Sequence, residues 1–295
     1  YEFKCDWSSD VCSSDLQLLS ILDKRFTLIL RFKYLIALCV ISTSLSSVAF
    51  AASDLAKLSD GDKYESLAWP QLKKDYLKGG KVEFDKRIVV TGPDFAEDAM
   101  NVPVQFDATK LEKVGGGIEQ IVVLVDRNPI KRVLVFEPKK VKAILSFRFK
   151  LEQSSPVRVA VQTKDKVWHV GHTWVEASGG GCTVNGASRN DGSWSKTLNE
   201  VSTRYFMSKN GDNIRLRTRV MHPMDTGLVA GVPAFHLEDL VLLDSQDKTW
   251  MRLQTFEPVS ENPLFSFDLP SNAPIERLRL VGRDNNGNKL NSAVQ

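Results

Sequence analysis

The chain has 295 residues, with 39 Lys and Arg against 36 Asp and Glu, and is 42% hydrophobic and 25% charged. That balance suits an ordinary globular protein and excludes a disordered polymer, a collagen and a multi-span membrane protein. A formal charge of +3 is too small to argue for nucleic acid or an anionic membrane as partner.

The first 51 residues do not read as part of a fold. The stretch CDWSSDVCSSDL from Cys5 to Leu16 resembles a translated sequencing adapter. From there to Ala51 the pattern is that of a secretory signal. Lys24, Arg25, Arg31 and Lys33 make a basic start, and an apolar run begins at Tyr34 that is too short to span a bilayer. Ala49-Phe50-Ala51 is an A-x-A cleavage signal, so cleavage is expected after Ala51, with export to the periplasm and no membrane span afterwards. Cys5, Cys12 and Cys39 all precede that point. Cys182 is then the one thiol of the exported chain and has no internal disulfide partner, in a compartment that oxidises thiols.

Residues 52–81 are expected to form a short helical or irregular segment. Leu67, Trp69, Leu72, Tyr76 and Leu77 approximate one helical face, and Gly79-Gly80 stops it. The period then changes to two. Strands are expected over Lys86–Thr91, Val102–Asp107, Gln120–Val125, Arg132–Phe136, Ala143–Leu151, Val157–Gln162 and Val167–Val175. A second series covers Ile214–Val220, Leu237–Leu243, Thr249–Phe256, Leu264–Leu269 and Ile275–Val281. Short strands at this spacing point to an all-β chain of two sandwiches, one over 82–177 and one over 194–295. Arg215, Arg217 and Arg219 share one face of their strand and read as a solvated face.

Between the two series lies 178–193, rich in Gly, Ser and Asn, which reads as a linker. Cys182 sits in it behind Gly179, Gly180 and Gly181. Those glycines predict a flexible arm that exposes the thiol, which suits reactive chemistry; the alternative is a linker in which Cys182 is incidental.

These segments resemble a known family. Asn128-Pro129-Ile130 through Val175 to Gly179-Gly180-Gly181-Cys182 looks like the SoxY sulfur-carrier subunit, which has an N-P segment before a central strand and ends in a GGCGG arm. The second half is similar to its partner SoxZ. The segments that carry this likeness are His222-Pro223-Met224-Asp225-Thr226-Gly227, similar to HPMETG, and Glu261-Asn262-Pro263-Leu264-Phe265-Ser266-Phe267. The order resembles fused SoxYZ-like carriers associated with quinoprotein dehydrogenases. The resemblance implies immunoglobulin-like sandwiches and a carrier that holds a sulfur or other thiol-reactive intermediate covalently on Cys182. Separate sulfur-handling or redox enzymes would act on that cargo. Two features differ from the family: the chain continues past the cysteine, and Thr183-Val184 replace the glycines after it.

His222 before Pro223 is expected to shape a turn or docking surface, together with Met224, Asp225, Thr226 and Gly227. His169, His172 and Cys182 could in principle hold copper or zinc, but positions three apart in a strand face opposite sides, so no metal is expected. No G-x-S-x-G, phosphate loop or H-E-x-x-H is present. The reading is therefore a carrier or accessory protein, not an enzyme, and without cofactors. A non-covalent binding or adaptor module is the alternative, and a His/Cys metal protein a further one.

Overall fold

The structure, a computed structural model, describes residues 59–78, 80–208 and 210–295. The adapter-like stretch, the signal and its cleavage site fall outside the described residues. The chain divides after Gly61: the described residues of the first unit, 59–61, form a turn, and Asp62–Gln295 form the second unit. Among the described residues no helix is long and apolar enough to cross a membrane.

The second unit starts with a helix, α1 (Trp69–Tyr76), with Pro70 in its first turn where the missing N–H costs nothing. The first strands are β1 (Val82–Phe84), β2 (Val89–Thr91), β3 (Phe95–Ala96), β4 (Val102–Asp107) and β5 (Ile118–Val125). They continue as β6 (Arg132–Glu137), β7 (Ile144–Phe149), β8 (Ser155–Thr163) and β9 (Trp168–Ala177). Two short helices follow, α2 (Ala187–Asp191) and α3 (Trp194–Thr197). The second series is β10 (Val201–Met207), β11 (Asn213–Val220), β12 (Leu237–Leu243), β13 (Thr249–Thr255), β14 (Leu264–Pro270), β15 (Arg279–Asp284) and β16 (Lys289–Ala293). The protein is mostly β, in two sheets. The expected strands are present with small shifts, except that Ile275–Arg277 is a 3-10 turn after Pro274, so the last expected strand starts later, at Arg279.

One sheet runs β1-β9-β8-β5-β6-β13-β12-β15-β16, with β3 beside β9, and the other runs β10-β11-β14-β7-β4-β2. Each sheet therefore contains strands from both halves. The joins are antiparallel ladders: Phe136 of β6 lies opposite Leu253 of β13, and Leu145 of β7 opposite Phe267 of β14. The two sandwiches are thus continuous, with backbone hydrogen bonds as well as apolar packing across the seam. One apolar core fills the space between the sheets and includes Phe106, Phe136, Phe149, Leu216, Leu240, Met251 and Phe267.

A second cluster lies on the outer face of the larger sheet. There Trp69 and Leu72 of α1 cover Val122, Leu124, Ala160 and Trp168. This cover explains why β8 is buried along its whole length instead of alternating. Arg158 sits in that layer, fully buried, between two carboxylates. It donates to Asp126 at 2.6 and 2.8 Å and to Asp62 at 2.6 and 2.8 Å, and its guanidinium lies 4.4 Å from the Trp69 ring. The segment before β1 is therefore tied to the sheet by charge as well as by its apolar face.

Candidate functional site around Cys182

The cysteine segment is not a free arm. After β9, Gly179 and Gly180 take φ of +99° and +83°, conformations that side chains resist. They turn the chain back along the end of β7. Gly180 N donates to Glu152 O at 3.1 Å and Gly181 N to Leu151 O at 3.2 Å. A methyl group on Gly181 would fall 2.2 Å from Ala99 O and 2.7 Å from Leu151 O. The glycines are needed here for a left-handed turn and for close backbone contact. The flexible arm expected at Gly179, Gly180 and Gly181 is here packed against Glu152, Leu151 and Ala99 instead of standing out in solvent.

Cys182 is 1% exposed, which corrects the expectation of an accessible thiol. Its N–H donates to Glu152 Oε2 at 2.9 Å, and its Sγ lies 3.6 Å from Lys150 O. Asn128 supports the same backbone from below: its Nδ2 donates to Lys150 O at 2.7 Å, and its Oδ1 accepts from Glu152 N at 2.8 Å. The Asn-Pro segment seen in the sequence thus holds the floor of the cysteine pocket.

The opposite wall comes from the second half. Thr226 Oγ1 donates to Cys182 O at 2.7 Å. Lys150 Nζ, itself buried, donates to Met224 O. Met224 adopts φ of +52°, which turns its carbonyl toward the lysine. His222 fixes this turn. Its Nδ1 accepts from Met224 N at 3.1 Å, so the ring proton resides on Nε2, 3.7 Å from Asp284 Oδ2. Burial pushes the His222 pKa down to about 4 despite Asp284, so the ring is neutral. Asp225 is held by Arg189 of α2, whose first N–H groups, at Ala187 and Ser188, donate to Glu261 at 2.8 and 2.7 Å.

Residues 222–226, including Pro223, are buried, and only Gly227 is exposed. The segment faces inward onto Lys150 and Cys182. It offers no outward docking surface, because its backbone is consumed in closing the cysteine pocket.

The electrostatics of the pocket are those of a guarded thiol. Burial pushes the Cys182 pKa up to about 12, and the Glu152 carboxylate adds to this while Lys150 opposes it. Burial lowers Lys150 to about 8, and Cys182, Asp225 and Glu261 only partly restore it. At neutral pH the docked state therefore pairs a neutral thiol with a buried ammonium. A thiol without thiolate character is a poor nucleophile.

The histidines considered for a metal do not join Cys182. His169 Nδ1 lies 3.0 Å from Asp85 Oδ2 and 3.2 Å from Glu83 Oε1, and those carboxylates are also taken by Arg87 and Lys81. His172 faces the other side of β9, where its Nδ1 is 3.4 Å from Tyr64 Oη. The set His169, His172 and Cys182 is thus not assembled. Sequence reasoning missed Lys150 and Glu152. By alternation Lys150 belongs with the two-residues-distant Arg148 on the outer face, yet it is buried because the ladder ends at Phe149 and the chain turns inward. A lysine between Phe149 and Leu151 was the one available signal.

A family profile described as "Sulfur oxidation protein SoxY" matches residues 73–182, and one described as "Sulphur oxidation protein SoxZ" matches residues 205–295. The first match ends on Cys182. Among solved structures, the sulfur carrier protein SoxY from Chlorobium limicola f thiosulfatophilum is similar at 19% identity and a TM-score of 0.31, covering 39% of this chain and 99% of that chain. No curated protein matches the chain. With both profiles matched in order, and their segments closing one cysteine pocket, the chain belongs to the SoxY and SoxZ families of sulfur-oxidation proteins, joined here in a single polypeptide.

Proposed function

We propose that this chain is a periplasmic carrier that holds a sulfur intermediate covalently on Cys182 and presents it to separate sulfur-handling enzymes, with a quinoprotein dehydrogenase system as the associated partner. The chain itself performs no turnover. The observation that carries this reading is the position of Cys182: it ends the SoxY-matched segment, and its carbonyl accepts the hydroxyl of Thr226 from the SoxZ half. The buried state is the resting form, in which the thiol is shielded from the oxidising compartment. Release breaks the contacts to Glu152, Leu151 and Thr226, each worth about 1 kcal/mol net, and exposes a thiol with an ordinary pKa.

The test is an unreduced intact mass of protein taken from its native host. Wild-type protein is expected to carry reducible sulfur adducts on the Cys182 peptide, and the Cys182→Ser variant none. A wild-type thiol found unmodified during active sulfur metabolism would remove the covalent step. The burial of Cys182 favours a second reading, an adaptor that binds its partner non-covalently with the cysteine as a core residue. Full partner function in Cys182→Ser would select it.

A further inference from the structure

The outer face of the smaller sheet carries a concentration of positive charge that the carrier reading does not use. A cleft of about 570 Å³ is lined by Arg148 of β7, Arg204 of β10, and Arg217 and Arg219 of β11. Among the described residues none of these four side chains has an ion-pair or hydrogen-bond partner, whereas Arg215 on the same strand face pairs with Asp268 at 2.7 and 3.0 Å. The fold thus supplies a carboxylate to one arginine of the stripe and withholds it from the next two.

The register sharpens the point. Arg204 lies directly opposite Arg217 in the β10–β11 ladder. Like charges in direct cross-strand pairs are destabilising. Glu261 is the one carboxylate lining the cleft, and it is committed to the first N–H groups of α2. Asn101 and Ser260 add polar groups at the rim. An array of unpaired guanidinium groups converging on one cleft is matched to an anion with several oxygens, because each guanidinium offers forked N–H donors.

The cleft also borders the cysteine pocket. Asn101 lies two residues from Ala99, whose carbonyl accepts Leu151 N at 2.7 Å and contacts Gly181. Glu261 anchors α2, which begins five residues after Cys182. Residues that line the cleft are thus close in the chain to ones that hold the cysteine segment.

We propose that this cleft binds a doubly charged tetrahedral oxyanion. The identification of that anion as a sulfur oxyanion, close to where the thiol is released, rests on the carrier reading; oxyanion binding itself does not.

The experiment is calorimetric titration of the full chain with thiosulfate, with sulfate and with phosphate at fixed ionic strength, and with chloride as control. One site is expected for the divalent anions. Affinity is expected to fall about tenfold in Arg204→Gln and again in Arg217→Gln, as charge-assisted bonds are lost. Without anion, both variants are expected to melt at or above the wild-type temperature, since a like-charge pair has been relieved. Arg204→Glu places a carboxylate opposite Arg217 and is expected to raise stability while abolishing anion binding. Arg215→Gln is expected to bind normally. Equal heats from chloride, or equal affinity in all variants, would overturn the proposal; binding of phosphate with none of thiosulfate or sulfate would uphold the oxyanion site and overturn its assignment to a sulfur oxyanion. Cys182→Ser is expected to bind the anion as wild type does, so failure of the carrier reading and failure of this one are separable.

Discussion

Two buried cations in the first half are treated in opposite ways. Arg158 of β8 is enclosed by Asp62 and Asp126, with four hydrogen bonds from its guanidinium. Lys150, just past β7, has no carboxylate bonded to it and is held by the carbonyl of Met224. Burial lowers the Arg158 pKa, but the bonds and charges of its two partners outweigh it and leave the pKa raised; burial prevails at Lys150 and brings it to about 8. A charge that is fully paired acts as a clamp. One that is paired only to a dipole is held at a cost, and here it lies beside the thiol on which the proposed function depends.

The sharpest break in that comparison is removal of each cation. Arg158→Leu leaves two carboxylates buried and unpaired, with an expected loss of about 3–5 kcal/mol in urea unfolding. Lys150→Met removes a desolvated charge and satisfies a similar volume, so the expected change is within about 1 kcal/mol. Equal losses would erase the distinction between clamp and site. The clamp also has an acid limb. Burial pushes Asp62 up, yet the bonds from Arg158 outweigh it and leave its pKa below 3.8. Its contribution is therefore present above pH 3.8 and lost as pH falls through the lowered value.

The next effect concerns the arm. Gly181→Ala forces a methyl group into Ala99 O and Leu151 O. The expected loss is about 1–3 kcal/mol, confined to the docked segment, with faster thiol labelling. Thr226→Val removes the hydrogen bond to Cys182 O and the one that Thr226 Oγ1 accepts from Leu228 N, with an expected loss of about 1–2 kcal/mol and a smaller gain in labelling.

The smallest effect is on alkaline stability. A thiol pushed up from 9.0 to about 12 costs nothing below pH 9 and destabilises the folded state progressively above it. The ammonium of Lys150, pushed down from 10.5 to about 8, imposes a cost that is full below pH 8 and is relieved as pH rises toward 10.5. In wild type the two limbs oppose each other above pH 9. Cys182→Ser lacks the falling limb, so its stability relative to wild type should improve above pH 9 at up to about 1.4 kcal/mol per pH unit. A constant difference between pH 8 and 10 would contradict the assigned pocket.

Much of the fold was legible because strands with one buried face alternate, and β4, β7 and β11 follow that rule closely. The strands that were missed lack it. β10 is mostly exposed with Tyr205 and Phe206 outward, and β1, β3 and β16 are short or polar. The continuity of the sheets was not legible, because the pairing of β6 with β13 leaves no local signal in either strand. At the site, Cys182, Asn128 and residues 222–227 were visible as separate pieces. Their assembly was not. A glycine run is equally required by slack and by tight backbone contact, and composition cannot distinguish the two.

In the carrier reading, Cys182 is a thiol stored in a closed pocket and released from it. It is tested most directly by alkylation with iodoacetamide under native conditions, read by mass at the Cys182 peptide in wild type, Thr226→Val and Gly181→Ala. Labelling is expected to be slow in wild type and at least about tenfold faster in Gly181→Ala, since a docked thiol pushed up from 9.0 to about 12 has about a thousandth of the thiolate. Wild-type labelling as fast as that of the urea-unfolded chain, or identical slow rates in all three proteins, would contradict it.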